Sequence, residues 1–503
     1  MSYNIIASLT CILRNCNNRT PLTHIKQTHV QILIHNLTHD LTLQTDLLLA
    51  YTKASLINAR KLFDKMPERN MHSWNIMISS YVRNFMHYDG LSVFGELVRS
   101  GLRPDHYTLP PVFKACGGIG GVRVGVVLHG MVAKLGFERY VVVGSAVLDF
   151  YSKCGGLGDA RRVFDGLVWK DSVSWNSMIS GLAKGGLVLE ALGCFRNMIG
   201  NKVKMDAMTV PTLLSVCGKL GDVTKGKEIH GQVLKNAGLC DDIAIDNSLI
   251  DFYSKCGCLC DAEKIFCSMR NLNLVTWTTM ISCYGVHGKG VEALNLFEKM
   301  RDFGFKPNSV TFTAILASCS HSGLIDQGKR IFKSIRSAYG FEPSVEHYAC
   351  LVDLLSRFGC FKEALDLINA MKQVPSACVW GALLAGSLVH KNIEIGEMAA
   401  RRLFEMEPSN ASNYIALCSI YDSRGMWNDA SRVRLKMRSL RLGKTPGSSW
   451  ITIEGKLYTF YQGDSTFSFG KTTCEMLKGI IKTLPLVHSE IHIENQLESS
   501  LCG

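Results

Sequence analysis

The chain repeats itself. The stretch FYSKCGGLGDARRVF, Phe150 to Phe164, returns as FYSKCGCLCDAEKIF, Phe252 to Phe266, 102 residues later. A second echo has three copies, HSWNIMIS around Trp74, VSWNSMIS around Trp175 and VTWTTMIS around Trp277, 101 and 102 residues apart. A fixed internal period marks units that cannot bury their apolar faces alone and must stack on neighbours, so it limits the fold before any local assignment.

Shorter echoes, such as NARKLFDKMPERN, GLSVFGELVRSGLRPD and KGKEIHGQVLKNAGLCDD, divide each cycle into three. Cutting at the polar and glycine-containing turns gives segments 41–70, 71–105, 106–140, 141–171, 172–206, 207–242, 243–273, 274–308, 309–344 and 345–376. Within a segment the apolar residues recur twice at helical spacing, as in Trp175, Met178, Ile179 and Leu182, then Ala191, Leu192, Phe195 and Met198, with KGGL between them. That spacing predicts helix, turn, helix. Stacked pairs of this kind build an all-α solenoid with a long concave groove. Aromatic residues such as Phe63, Phe164 and Phe266 are then packing between helices, and His129 and His230, in the slots LHG and IHG, are helix packing too.

Composition agrees with a large folded core: 503 residues are 47% hydrophobic and 19% charged. Lys and Arg outnumber Asp and Glu by 55 to 43, and the net charge of +12 favours a polyanionic partner. Nineteen cysteines without a secretory signal read as reduced thiols. No run approaches the roughly 20 apolar residues of a membrane span, so the mean hydropathy of +0.10 is assigned to buried helix faces. Before Asp40 there is no acidic residue, whereas Arg14, Arg19 and Lys26 are basic, and residues 1–21 read as an organelle-targeting segment.

The segment VSWNSMISGLAKGGLVLEALGCFRNMIGNKVKMD at 172–206 resembles a pentatricopeptide repeat (PPR). The alternating segment lengths resemble the plant subgroup in which long, short and standard motifs follow in order. The resemblance implies a right-handed superhelix of PPR units over residues 22–376. Val379 to Leu440 and then GSSWITIEGKLYTFYQGD to Asp464 resemble that subgroup's E-type extension, assigned here to 377–464 with a degenerate tail at 465–503. The SWITIEGKLYTFYQGD portion alternates apolar and polar as a strand would. The family association implies a sequence-specific factor for organellar C-to-U RNA editing, placed in the mitochondrion with the chloroplast as alternative. Transcript stabilisation, splicing or end processing, and a protein-only scaffold, are the other readings.

Many relatives carry a cytidine deaminase, whose zinc chemistry needs His-x-Glu and a later Pro-Cys-x-x-Cys. The tail has HSE at His488–Glu490 and HIE at His492–Glu494, but only Cys502 follows. Cys256, Cys258 and Cys260 alternate at a repeat turn without the paired spacing of a structural zinc site. The glycines between Gly117 and Gly125 lack the Gly-Lys-Ser/Thr of a phosphate loop and read as a turn. The expectation is therefore no DYW deaminase domain, no metal, no cofactor, no small-molecule substrate and no enzyme, with a deaminase supplied in trans.

In the PPR family each repeat takes one base of single-stranded RNA, contacted by the fifth and last residues of the motif. Uracil and guanine offer a ring N–H that suits Asp, whereas cytosine and adenine offer a ring acceptor beside an amine, which suits Asn. The family places Asn at the fifth position opposite pyrimidines and Thr or Ser opposite purines. Carried onto this chain, Thr45 with Asn70 implies A, Asn75 with Asp105 implies U, and Ser145 with Asp171 implies G. Asn176 with Asp206 implies U, Asn247 with Asn273 implies C, and Thr278 with Asn308 implies A. Pro110 with Tyr140, Pro211 with Asp242, Thr313 with Ser344 and the repeat around Ala349 match no firm rule. The implied target is A-U-n-G-U-n-C-A-n-n, with an AUnGUnCA core and the edited C beyond three more bases. Each of these side chains is also of a type that caps helices and turns. His72 departs from the small aliphatic residue, such as Val173 or Val275, that usually holds the second position.

Overall fold

The computed structural model describes residues 2–17, 20–443, 448–453 and 456–461. The chain divides into two compact units, residues 1–256 and 257–503. In the first, each segment from 41 to 242 is one helix pair: Leu41–Ala54 with Leu56–Lys65, Met71–Arg83 with His87–Arg99, Leu109–Ile119 with Val122–Leu135, Val141–Lys153 with Leu157–Gly166, Ser172–Lys184 with Val188–Gly200, and Thr209–Leu220 with Val223–Lys235. Ile243–Lys255 closes the unit. Helices Ser2–Arg14 and Leu22–Ile34 come before the first of these pairs; Leu9 and Leu13 are buried, and Arg14 Nε lies 3.0 Å from Asp46 Oδ2.

The second unit opens with Leu259–Ser268 and continues as Leu274–Val286 with Gly290–Asp302, Ser309–Ser322 with Ile325–Ser337, and Val345–Arg357 with Phe361–Asn369. The extension adds two more pairs, Ala377–Val389 with Ile393–Met406 and Ala411–Asp422 with Trp427–Ser439. One core runs from Leu351 and Leu354 of the last repeat through Leu383 and Leu403 to Ile420 and Ala430, so the extension continues the stack. Strands β1 (Ser448–Ile453) and β2 (Lys456–Tyr461) then pair antiparallel with Trp450 opposite Thr459, as the alternation predicts. This hairpin is the one departure from an all-α fold among the described residues. His488–Glu490, His492–Glu494, Cys502 and Arg19 lie outside the described residues.

Within each unit the first helix of a repeat packs on the first helix of the next and on its own partner. The joint between repeats is aromatic. Phe63 meets Trp74 edge-on at 4.8 Å, Phe164 meets Trp175 at 4.9 Å and Phe266 meets Trp277 at 5.4 Å. Such pairs contribute about 0.5–1.5 kcal/mol beyond the area they bury. Phe63 and Phe164 are buried, while Phe266 is half-buried. The histidine slots carry a hydrogen bond as well as packing: Nδ1 of His29, His129 and His230 lies 3.1, 3.0 and 3.0 Å from the hydroxyl of Tyr51, Tyr151 and Tyr253. Burial holds the His29 and His129 imidazoles below their usual pKa, so at neutral pH they pair in the uncharged form.

The opening echo now has a structural meaning. Its Phe is fully buried against the second helix of the preceding repeat, and its Cys-Gly ends the first helix, with Gly155 at φ +78 and Gly257 at φ +77 turning the chain. The 117–125 stretch is the end of one helix, a turn at Gly120 and the start of the next. Gly125 and Gly226 sit where a methyl group would enter the rings of Phe150 and Phe252. Helices approach this closely only without a side chain at that point. Gly226→Ala should therefore destabilise the first unit by about 1–3 kcal/mol through overpacking, read as a lower midpoint in denaturant, whereas Gly231→Ala, with open space around it, should not.

Candidate nucleic-acid interface

In several repeats the last residue is the N-cap of the next repeat's first helix, Tyr140 being one that makes no side-chain cap bond. Asn70 Oδ1 accepts the Ser73 N–H at 2.8 Å, Asp171 Oδ1 that of Ser174 at 2.9 Å, Asn273 Oδ1 that of Thr276 at 2.9 Å and Asn308 Oδ1 that of Thr311 at 2.9 Å. Asp105 and Asp206 do the same one turn earlier than their helices begin, accepting Thr108 N–H at 2.8 Å and Thr209 N–H at 2.9 Å. A backbone N–H can only donate, so the side-chain atom facing it must be an oxygen. The cap thereby fixes which atom is left to face away. From Asp it is a second carboxylate oxygen, an acceptor; from Asn it is the amide NH2, a donor.

The fifth residues stand beside these caps in three of the predicted pairs. Asn75 Nδ2 donates to Asp105 Oδ1 and Oδ2 at 3.1 and 3.2 Å, and Asn176 Nδ2 to Asp206 Oδ1 and Oδ2 at 2.9 and 3.0 Å. Ser145 Oγ lies 3.4 Å from Asp171 Oδ1. Thr278 reaches Asn308 only through Thr311, whose hydroxyl is 2.9 Å from each. Thr45 turns its hydroxyl to the Leu41 carbonyl at 2.6 Å rather than to Asn70. Asn247, in the helix that closes the first unit, has its amide oxygen buried and unpartnered among the described residues. In the long repeats Pro110 and Pro211 offer no side-chain hydrogen bond, Thr313 bonds the Ser309 carbonyl at 3.1 Å, and Tyr140 stacks on His106 at 4.6 Å.

Ser145, Asp171, Asn176 and Asp206 line one groove of about 780 Å³ in the first unit. Second-position side chains Val142, Val173 and Met208 stand in the same groove, exposed by 66%, 54% and 74%, which is open apolar surface of the size a base face needs. His72 and Val275 are exposed as well. Sequence reasoning missed the groove's basic edge, Arg83, Lys114, Lys153 and Lys184. Their signal was present: Arg83, Lys153 and Lys184 close the last turn of three of the first helices, where a cation also complements the helix dipole.

The two Asn–Asp pairs carry a defined charge state. Burial pushes the Asp105 carboxyl up, but hydrogen bonds from the Thr108 hydroxyl and N–H, the Asn75 amide and the Tyr107 N–H together outweigh it and hold the pKa below 3.8. Asp206 is lowered by the same set, Thr209, Asn176 and Met208, against its burial. Both are anionic acceptors at neutral pH.

Matches to known families fall on the same elements. PPR repeat models match 72–102, 247–274, 310–338 and 346–374, and a PPR repeat family model matches 170–219 and 272–321. An E motif model matches 390–452. A mitochondrial pentatricopeptide repeat-containing protein of Arabidopsis thaliana is 39% identical over 472 residues, covering 92% of this chain and 72% of that protein. The chloroplastic protein CRR2 of the same plant is 34% identical, covering 89% and 69%. A further chloroplastic relative is 38% identical over 85% of this chain, which spans about half, 49%, of that relative's length. Among solved structures, PPR10 in complex with an 18-nt psaJ RNA element superposes with a TM-score of 0.63 at 17% identity, covering 83% of this chain and 64% of that one, and so shares the fold.

The depressed carboxyls set a pH dependence. Their contribution to stability is complete above the unfolded value near 3.8 and is lost as pH falls through the folded pKa. The stability difference between the protein and its Asp105→Asn, Asp206→Asn double variant should stay level from pH 7 to about 5 and shrink below about pH 4, read from denaturant unfolding at each pH.

Proposed function

This chain belongs to the pentatricopeptide repeat family, and from that premise we propose that it is an organellar RNA-binding factor that selects a site for C-to-U editing and brings a deaminase carried by another polypeptide. The observation that carries the reading is the cap geometry in the groove. Each Asp cap leaves an acceptor free and each Asn cap a donor, and in the first unit Asp171 and Asp206 stand beside open aliphatic surface and a basic edge. Single-stranded RNA fits all three parts: bases against the aliphatic side chains, phosphates along Arg83, Lys114, Lys153 and Lys184, and base edges against the caps.

The chemistry follows from the free atoms. Opposite Asp105, uracil gives its ring N–H to Oδ2 while the second amide hydrogen of Asn75 reaches a uracil oxygen. Asn176 with Asp206 repeats this for the second U, and Ser145 with Asp171 takes guanine by its ring N–H. Opposite Asn70 and Asn308 the outward NH2 donates to the unprotonated ring nitrogen of A, with Thr45 and Thr278 as the fifth residues; Asn247 and Asn273 are assigned to C by their places in the repeat. The AUnGUnCA core is read this way, and residues 377–464 act as the platform for the deaminase. Support for editing comes from the E motif at 390–452, and support for an organelle from relatives named as mitochondrial or chloroplastic. We place the protein in the mitochondrion and assign no catalytic step to the chain itself.

Two measurements test this. Asp105→Asn keeps the capping oxygen and replaces the outward acceptor by a donor, so the preference at the second base should move from U toward C by about ten-fold or more, one base contact being about 1–3 kcal/mol. Equal binding of both RNAs by both proteins removes Asp105 as a reader. In plants lacking the gene, one or a few organellar cytidines should stay unconverted with transcript ends intact; altered ends with normal conversion would point to processing instead.

A further inference from the structure

One buried hydroxyl recurs behind the groove. In six of the ten repeats the third residue is a hydroxyl, Ser73, Thr108, Ser174, Thr209, Thr276 or Thr311, each 0% or 1% exposed. The serines turn the hydroxyl back to the preceding carbonyl, Ser73 to Asn70 O and Ser174 to Asp171 O, both at 2.8 Å. Three threonines do something else. Thr108 Oγ1 lies 2.7 Å from Asn75 Oδ1 and 2.8 Å from Asp105 Oδ1; Thr209 Oγ1 lies 2.6 Å from Asn176 Oδ1 and 2.9 Å from Asp206 Oδ1. Thr311 Oγ1 lies 2.9 Å from both Thr278 Oγ1 and Asn308 Oδ1. The hydroxyl joins the fifth residue of one repeat to its last residue from the next repeat's helix.

Resting on the base-reading proposal above, we infer that Thr108 and Thr209 are positioning residues that hold Asn75 and Asn176 in a single amide orientation and so set the U-over-C preference at two bases. A hydroxyl has one proton to give. Asp105 Oδ1 already accepts from the N–H groups of Tyr107 and Thr108, whereas Asn75 Oδ1 has no other donor among the described residues. The proton is within reach of both oxygens, but only Asn75 Oδ1 depends on it, since Asp105 Oδ1 keeps its backbone donors without it; the Asp105 N–H donates to the same hydroxyl at 3.2 Å. With its oxygen held behind and its nitrogen on the carboxylate, Asn75 shows the base a hydrogen and no acceptor. That face, beside Asp105 Oδ2, complements the oxygen and ring N–H of uracil and opposes the amine of cytosine. Without the hydroxyl, the amide oxygen is released and can swing to accept from cytosine. The β-branch of threonine restricts χ1 and holds the hydroxyl in place; serine at this slot is seen in the other rotation.

The test uses the full chain and RNAs of the AUnGUnCA core at one fixed salt concentration, with U or C at the second base or at the fifth. Thr108→Val fills the same volume without a donor. It should reduce the U-over-C ratio at the second base by about five-fold, one neutral hydrogen bond's worth, and leave the ratio at the fifth base unchanged. Thr209→Val should do the reverse, and Thr108→Ser should give an intermediate ratio at the second base. Because each protein carries its own unaffected base as control, a general distortion of the groove lowers both ratios together and counts against the positioning role. Undiminished ratios in both valine variants, with the parent protein discriminating, overturn the inference alone. A parent protein indifferent to both bases overturns the base-reading proposal and this one with it.

Discussion

The backbone N–H at the third residue of a repeat needs an acceptor, and in six repeats described above the last side chain of the preceding repeat supplies it. This cap satisfies a helix terminus that packing would otherwise leave unpaired, worth about 0.5–2 kcal/mol against alanine. It also spans the boundary between repeats, so the same bond that ends one motif and starts the next decides which atom looks into the groove. Stability and recognition share one side chain. Asp and Asn cap about equally well, so the outward polarity is free to vary from repeat to repeat while the helix start is unaffected.

The stack keeps those caps in register. Edge-on pairs of Phe with Trp at the repeat joints, close approach of Gly125 to Phe150 and of Gly226 to Phe252, and the repeated His–Tyr hydrogen bonds all tie a second helix to the first helix of the next repeat. A body built of such joints spaces its reading slots by helix packing rather than by flexible loops. In the second unit the same packing carries past the last repeat into the extension, where Phe404 stacks on Tyr414 at 3.9 Å and the Tyr414 hydroxyl bonds the Pro408 carbonyl at 3.1 Å. The extension is thus solenoid-like through Ser439, and among the described residues only the hairpin changes the architecture.

Much of this was legible in the sequence because a period averages out local ambiguity. The ten segments cut at turns each carry one helix pair, apart from the seventh, whose two helices fall on either side of the division between the compact units. What the sequence could not display was orientation. Asn70, Asp171 and Asn308 looked equally like caps or like readers, and the structure makes them caps whose outward atom is determined by capping. Thr45 and Asn247 fill their slots by position without touching a cap in their own unit, which spacing alone does not reveal. Nor did it show Thr108 and Thr209, since a threonine three residues into a repeat looks like any helix-start hydroxyl until its distance to Asn75 or Asn176 is known. The basic edge was hidden because Lys and Arg at helix C-termini are common for reasons of the helix dipole.

The most direct measurement is the affinity of the purified protein for a short RNA carrying AUnGUnCA against one with the six assigned bases exchanged, purine for purine and pyrimidine for pyrimidine, at one near-physiological salt concentration. Salt must be fixed because phosphate contacts bind any sequence. The account predicts a preference of at least about ten-fold, roughly 1.4 kcal/mol, for the first RNA. Equal binding of the two would contradict it, leaving caps that hold helices and a groove that holds RNA without reading it.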